Sequence, residues 1–188
     1  MKNVKFKILI FCLIVCFILF FINPSLGANP GKDKWFSQHI PVEVAYTTLP
    51  SDWRTSTQNA MNTWSNAGAN FGFKTYAGSY YYVNVIRSQV SDPNTLAYES
   101  GTTGILYSGG KLQKTGSIIR INTNISWSTN NSSRTHDVES VILHELGHSL
   151  CLGHVNSTTP VMYGELGQNQ LKRTLTQDDK NGVKQIYG

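Results

Sequence analysis

The apolar and polar positions divide the chain into segments of different period. Residues 8–22 are an unbroken apolar run of 15 residues, preceded by Lys2, Lys5 and Lys7 and followed by Asn23-Pro24. Residues 28–35 are polar, contain Gly and Pro, and read as a loose arm. Residues 40–47 alternate with the period of a half-buried strand, placing Val42, Val44 and Tyr46 on one set of positions. Trp53, Ala60, Trp64 and Ala67 recur at helical spacing. They predict a helix from Ser51 to about Ala67, capped by Ser51, favoured by Asp52 in its first turn and stopped by Gly68. Residues 71–76 and 81–88 read as two further strands, with the Tyr80-Tyr81-Tyr82 cluster as strand packing. Residues 89–116 are rich in Gly, Ser and Thr and read as a loop region holding one short strand at 105–107. A strand at 118–122 and a polar loop at 124–133 follow. A helix then starts near Thr135 or Asp137 and runs through a group of histidines. A short amphipathic helix closes the chain at 176–187, where Thr176 and Asp179 have the spacing of a capping box.

The N-terminal pattern is that of a secretory signal: a basic start, a 15-residue apolar stretch too short for a span of roughly 20, a breaker, and small residues at Ser25 and Gly27. Cleavage is expected after Gly27, leaving one domain over residues 28–188 in a secreted, extracellular protein with no membrane association. Of the three cysteines, Cys12 and Cys16 leave with the signal, so the mature chain keeps Cys151 and can form no internal disulfide. The net charge of +5 rests largely on the N-terminal lysines; the remainder has 13 basic residues against 11 acidic ones. That balance, without a run of Lys or Arg, excludes a basic nucleic-acid surface.

The candidate chemistry lies in His144-Glu145-Leu146-Gly147-His148-Ser149-Leu150-Cys151-Leu152-Gly153-His154. Four helical residues turn by about 400°, so His144 and His148 stack on one face and can share a metal ion. Glu145, offset by one position, can reach a metal-bound water without being a ligand. His154 can join the site only if the helix ends just after His148 and the chain turns back, at Gly153 or Cys151. Three neutral imidazoles leave a coordination position open to water, the catalytic rather than the structural pattern for zinc. Such a metal acidifies its water and polarises a carbonyl, and Glu145 would act as general base. The apolar helical lead-in of Val138, Val141 and Ile142 argues against surface histidines on an ordinary helix.

This run resembles the extended zinc motif of the metzincin metallopeptidases, and most closely that of the matrixins. Pro160-Val161-Met162-Tyr163 resembles their Met-turn, in which a methionine, here Met162, lies beneath the metal. The segment from Leu175 to Gly188 resembles their closing helix, where an Asp corresponding to Asp178 or Asp179 ties the helix to the Met-turn. The Trp35 segment, first strand and first helix follow the same order. The resemblance implies an α+β metzincin fold: one domain, a twisted mixed sheet of about five strands and three helices. It also implies one catalytic zinc and a monomeric endopeptidase acting on a protein or peptide substrate. The substrate would lie along an edge strand near 105–107, with residues 161–171 walling the pocket for the residue after the cut bond.

Three departures from the family pattern stand out. Cys151 replaces the usual glycine in the turn after the second ligand, at a cost of about 1–2 kcal/mol if it adopts the left-handed conformation. No cysteine-bearing propeptide precedes the motif. The loop at 89–116 has no histidine and only Asp92 and Glu99, so it lacks the family's second zinc site and leaves calcium possible but unsupported. Two rival readings remain: a catalytically impaired zinc-bearing binding module, suggested by Cys151, and a peptidase with Glu165 as third ligand.

Overall fold

The computed structural model describes residue 28 and residues 30–31, 33–37, 40–78, 82–107 and 111–188. The expected signal segment, together with Tyr80 and Tyr81, lies outside these residues. The alternating segment forms β1 (Val42–Ala45), followed by α1 (Ser51–Ser65), β2 (Phe73–Thr75) and β3 (Val83–Ser88). Then come β4 (Ala97–Tyr107), β5 (Lys111–Asn122), the short β6 (Trp127–Ser128) and β7 (His136–Asp137), α2 (Val138–Ser149) and α3 (Gln177–Tyr187). The main sheet is five-stranded in the order β2-β1-β3-β5-β4, parallel except for β4 against β5. Among the described residues, three helices and one mixed five-stranded sheet give the expected α+β fold.

One face of the sheet carries the buried Val42, Val44, Val83, Val85, Ile119 and Ile121. The stripe read from α1 is buried throughout: Trp53, Ala60 and Trp64 pack inward, and Ala67 follows them. The Trp64 indole N–H donates to the Leu143 carbonyl at 2.8 Å, which fixes the metal helix against α1 at mid-length. Tyr82 meets Trp35 edge to face, 5.7 Å between centroids.

Two expectations need correction. Ser51 is the first residue of α1 rather than its cap; Pro50 holds the cap position and no side chain caps this end. The segment at 89–116 is no loop region. From Ala97 onward it belongs to a long antiparallel hairpin of β4 and β5, with register irregularities around Thr103. Its sequence concealed this because polar and small residues line both faces of an edge hairpin: Glu99, Ser100, Gly101, Thr102 and Thr103 offer no apolar alternation.

The closing helix begins with the capping box read from the sequence. The Thr176 hydroxyl accepts from the Asp179 N–H, and the Asp179 carboxylate accepts from the Thr176 N–H. Asp179 is fully buried and also accepts from Val161 N at 3.0 Å and Met162 N at 3.1 Å. Asp179, not Asp178, is therefore the side chain that ties this helix to the loop at 160–163. Hydrogen bonds to charged groups typically contribute about 1.5–3 kcal/mol each.

Candidate metal centre

Asp137 starts the metal helix. Its carboxylate caps α2 by accepting from Ser140 N at 2.8 Å, and it is paired with the Arg173 guanidinium. Burial opposes ionisation of Asp137, but the bonds from Arg173 and Ser140 outweigh it and hold the carboxyl below its ordinary range. From this anchored start, Ile142, Leu143 and Leu146 turn inward, and His144 and His148 face the cleft one turn apart. Gly147 sits between them against the loop at 160–163. A Cβ there would collide with Met162 Sδ and crowd the Trp64 ring. Met162, fully buried, thus packs against this helix at Gly147.

The helix ends as the geometric test requires. Cys151 N–H bonds to the His148 carbonyl at 2.8 Å and Leu152 N–H to the Gly147 carbonyl at 3.1 Å. This pair of bonds is the Schellman arrangement, which places one residue in the left-handed conformation. That residue is Cys151, with φ of 68°; Gly153 does not take the turn. The N-terminal arm holds the turn from outside. Gly31 N–H reaches the Cys151 carbonyl at 2.6 Å, Pro30 bridges to Leu152, and the Trp35 indole donates to the Ser149 carbonyl at 2.8 Å. We expect Cys151→Gly to retain zinc and turnover and to raise the thermal midpoint slightly, since glycine adopts this φ without the Cβ penalty. Loss of zinc from that variant, measured by metal analysis, would show instead that the thiol coordinates.

The reversal brings His154 to the other two histidines. Their Nε2 atoms form a triangle with sides of 3.0, 3.1 and 3.1 Å. His144 Nδ1 bonds to the Val161 carbonyl and His148 Nδ1 to the Leu152 carbonyl, each at 2.8 Å. A carbonyl only accepts, so both Nδ1 atoms carry the proton and both Nε2 lone pairs point at the shared centre. Burial, then the neighbouring His148, push His144 down to about 3; burial also lowers His148. Neutral imidazoles with convergent lone pairs repel one another at this separation unless a cation lies among them. The donor set fits zinc, and its outer bonds are of the kind that orient ligating histidines. Among the described residues this is the one group of three or more His, Cys, Asp or Glu side chains able to hold a metal. Glu165 is outside it and accepts from the Tyr163 hydroxyl at 3.2 Å.

Glu145 stands beside this triangle, 5% exposed, with Oε2 buried and without a hydrogen-bond partner. Burial, reinforced by the charge of Glu99, pushes its carboxyl up to about 8. A cavity of about 540 Å³ opens next to His144 and His154, between Leu96 and Ala97 on one side and Val161 to Leu166 on the other. Val141 and Ile125 add apolar surface to it, and His136 and Lys172 line its edge. On the other flank, Ala97 to Thr103 of β4 border Glu145 and His148. The first half of the edge strand, from Ala97 to Thr103, thus borders the histidines. The sequence also gave no sign of Lys172. Its Nζ donates to the Thr158 and Pro160 carbonyls at 2.7 and 3.0 Å and so holds the loop between His154 and Met162.

The fold and this centre define a single-domain metallopeptidase architecture, and comparison with known proteins gives the family. The family model described as Matrixin matches residues 34–188, and the chain belongs to the matrixin peptidase family. It is 42% identical over 52 residues to Metalloendoproteinase 1 of Glycine max, covering 28% of this chain and 17% of that protein. It is 48% identical over 52 residues to Metalloendoproteinase 1-MMP of Arabidopsis thaliana, covering 28% and 14%. Against Interstitial collagenase of Equus caballus the identity is 26% over 165 residues, covering 84% of this chain and 34% of that one. The matches thus span about a third or less of the relatives' own lengths.

Proposed function

We propose that the chain is a zinc-dependent endopeptidase that hydrolyses peptide bonds, with His144, His148 and His154 holding the metal and Glu145 as general base. The observation that carries this is the convergence of three Nε2 atoms within 3.1 Å beside the unpartnered Glu145 Oε2. Zinc bound there would supply a water of pKa near 7 and polarisation of the substrate carbonyl. Oε2 is the atom that would take a proton and return it to the departing amine. The open edge of β4 offers backbone groups to an extended peptide. The adjoining cavity, walled by Leu96, Ala97, Val161 and Leu166, suits the large apolar side chain of the residue after the cut bond. The N-terminal signal pattern supports secretion, and so a monomeric peptidase acting on extracellular proteins or peptides. None of the described helices is long and apolar enough to cross a membrane. The binding-module reading rested on position 151, and Cys151 occupies the left-handed turn there.

The test is cleavage of a peptide library followed by mass spectrometry, with zinc removed by a chelator and then restored. The expected result is cuts before large apolar residues that vanish on chelation and return with zinc. No cleavage of any peptide at one zinc per chain would favour the binding module.

A further inference from the structure

The mechanism above leaves a buried charge network beneath the cleft unused. The Lys114 ammonium, on β5, pairs with Glu99 Oε1, on β4, at 2.8 Å, with their side chains 5% and 10% exposed. The same ammonium donates to the His148 carbonyl at 3.1 Å. Ser117 Oγ donates to Glu99 Oε1 at 2.6 Å and lies 2.9 Å from Ser149 Oγ. Because the Ser117 proton goes to the carboxylate, Ser149 is the donor to Ser117. The network therefore spans from edge strand β4, through β5, to the last turn of α2. Gly101 is part of it: a Cβ there would lie 2.9 Å from Lys114 Cε and 3.0 Å from Nζ, so the lysine crosses the strand where no side chain stands.

A buried ion pair adds little net stability over an apolar pair of the same volume, whereas removal of one partner strands a charge. A charged strut in this position is better explained by placement. We propose that Lys114 and Glu99 are positioning residues of the metal centre, fixing the His148 end of α2 against the edge strand that carries the substrate. The proposal rests on the metallopeptidase reading above. The pair stands outside the metal-holding group, on the flank of the site beside Glu145 and His148. It sets the distance between the strand on which the peptide lies and the turn that bears His148, with Glu145 one turn away.

The test uses the zinc-loaded chain and four variants: Lys114→Met, Glu99→Gln, the double Glu99→Leu/Lys114→Met, and Gly101→Ala, which displaces the ammonium without removing a charge. Thermal midpoint, rate of zinc loss to a chelator, and kcat and KM on a cleaved peptide are measured. Lys114→Met should lower kcat about tenfold with KM changed less than about threefold, and should speed zinc loss about tenfold, as loss of a group behind a ligand does. Gly101→Ala should act in the same direction. The double variant should regain the wild-type midpoint but not its kcat or zinc retention. Recovery of all three would overturn the proposal, because the pair would then serve folding alone; so would wild-type kinetics and zinc retention in Lys114→Met. Should Lys114→Met and Glu99→Gln fail to fold, the double variant and Gly101→Ala decide. Should the wild type cleave no peptide, the peptidase reading fails, and zinc retention across the same proteins decides the role of the pair.

Discussion

Glu145→Gln should lower kcat by about 10²–10⁴-fold, the range typical of a general acid–base group, while zinc content and thermal midpoint stay close to wild type. Glutamine keeps the size and polarity of the side chain but cannot accept the proton. The structure favours so selective an effect. Glu145 is buried beside the three histidine nitrogens, yet it neither pairs with a cation nor belongs to the metal-holding group. Its Oε2 has no partner to lose. An ionised carboxylate in such surroundings is costly, as the upward push of its pKa to about 8 by burial and by Glu99 shows. The neutral amide should therefore be tolerated at least as well as the acid in the metal-free fold. Kinetics must be compared at equal zinc occupancy, since neighbours of a ligand also tune metal binding. Equal turnover by wild type and variant would remove Glu145 from the mechanism.

Legibility in the sequence followed the physical signal available at each place. The metal centre could be read because its geometry is local: two histidines four apart on a helix, a third six further on, and a turn between them imposed by the helix pitch. The closing helix was legible for the same reason, since a capping box joins residues three apart. The strand at 42–45 and the Trp53–Trp64 stripe announced themselves through period. The β4–β5 hairpin did not, because its inner face near the cleft carries the Glu99, Lys114 and Ser117 network instead of an apolar stripe. Long-range partners were equally hidden. Nothing near Lys172 points to the Thr158 and Pro160 carbonyls, and nothing near Trp35 points to the Ser149 carbonyl. The turn at position 151 was legible as a requirement but not as a solution: either Gly153 or Cys151 could have made it. Only the backbone, with φ of 68° at Cys151, assigns it.

Metal analysis of the purified chain should find one zinc per molecule, and removing it should both abolish hydrolysis and soften the fold. The first expectation follows from the single histidine triangle among the described residues. The second follows from what the triangle becomes without an ion: three ring nitrogens crowded 3.0–3.1 Å apart, two of them locked in place by bonds to the Val161 and Leu152 carbonyls. A ligand that binds only the folded chain stabilises it by about 4 kcal/mol at a thousandfold excess over its Kd. For a domain of this size each kcal/mol moves the midpoint by about 2–4 °C, so chelation should lower it by roughly 10 °C. His148→Ala should reproduce the chelated state and be insensitive to added zinc, because the two remaining histidines do not complete the donor set. Calorimetric scans of wild type and His148→Ala, with chelator and with zinc, separate the possibilities. A midpoint unmoved by chelation would mean that the arm, the Asp179 bonds and the Lys172 clasp hold the loops without the metal. A reproducible value of two zinc ions per chain would demand a second site outside this centre.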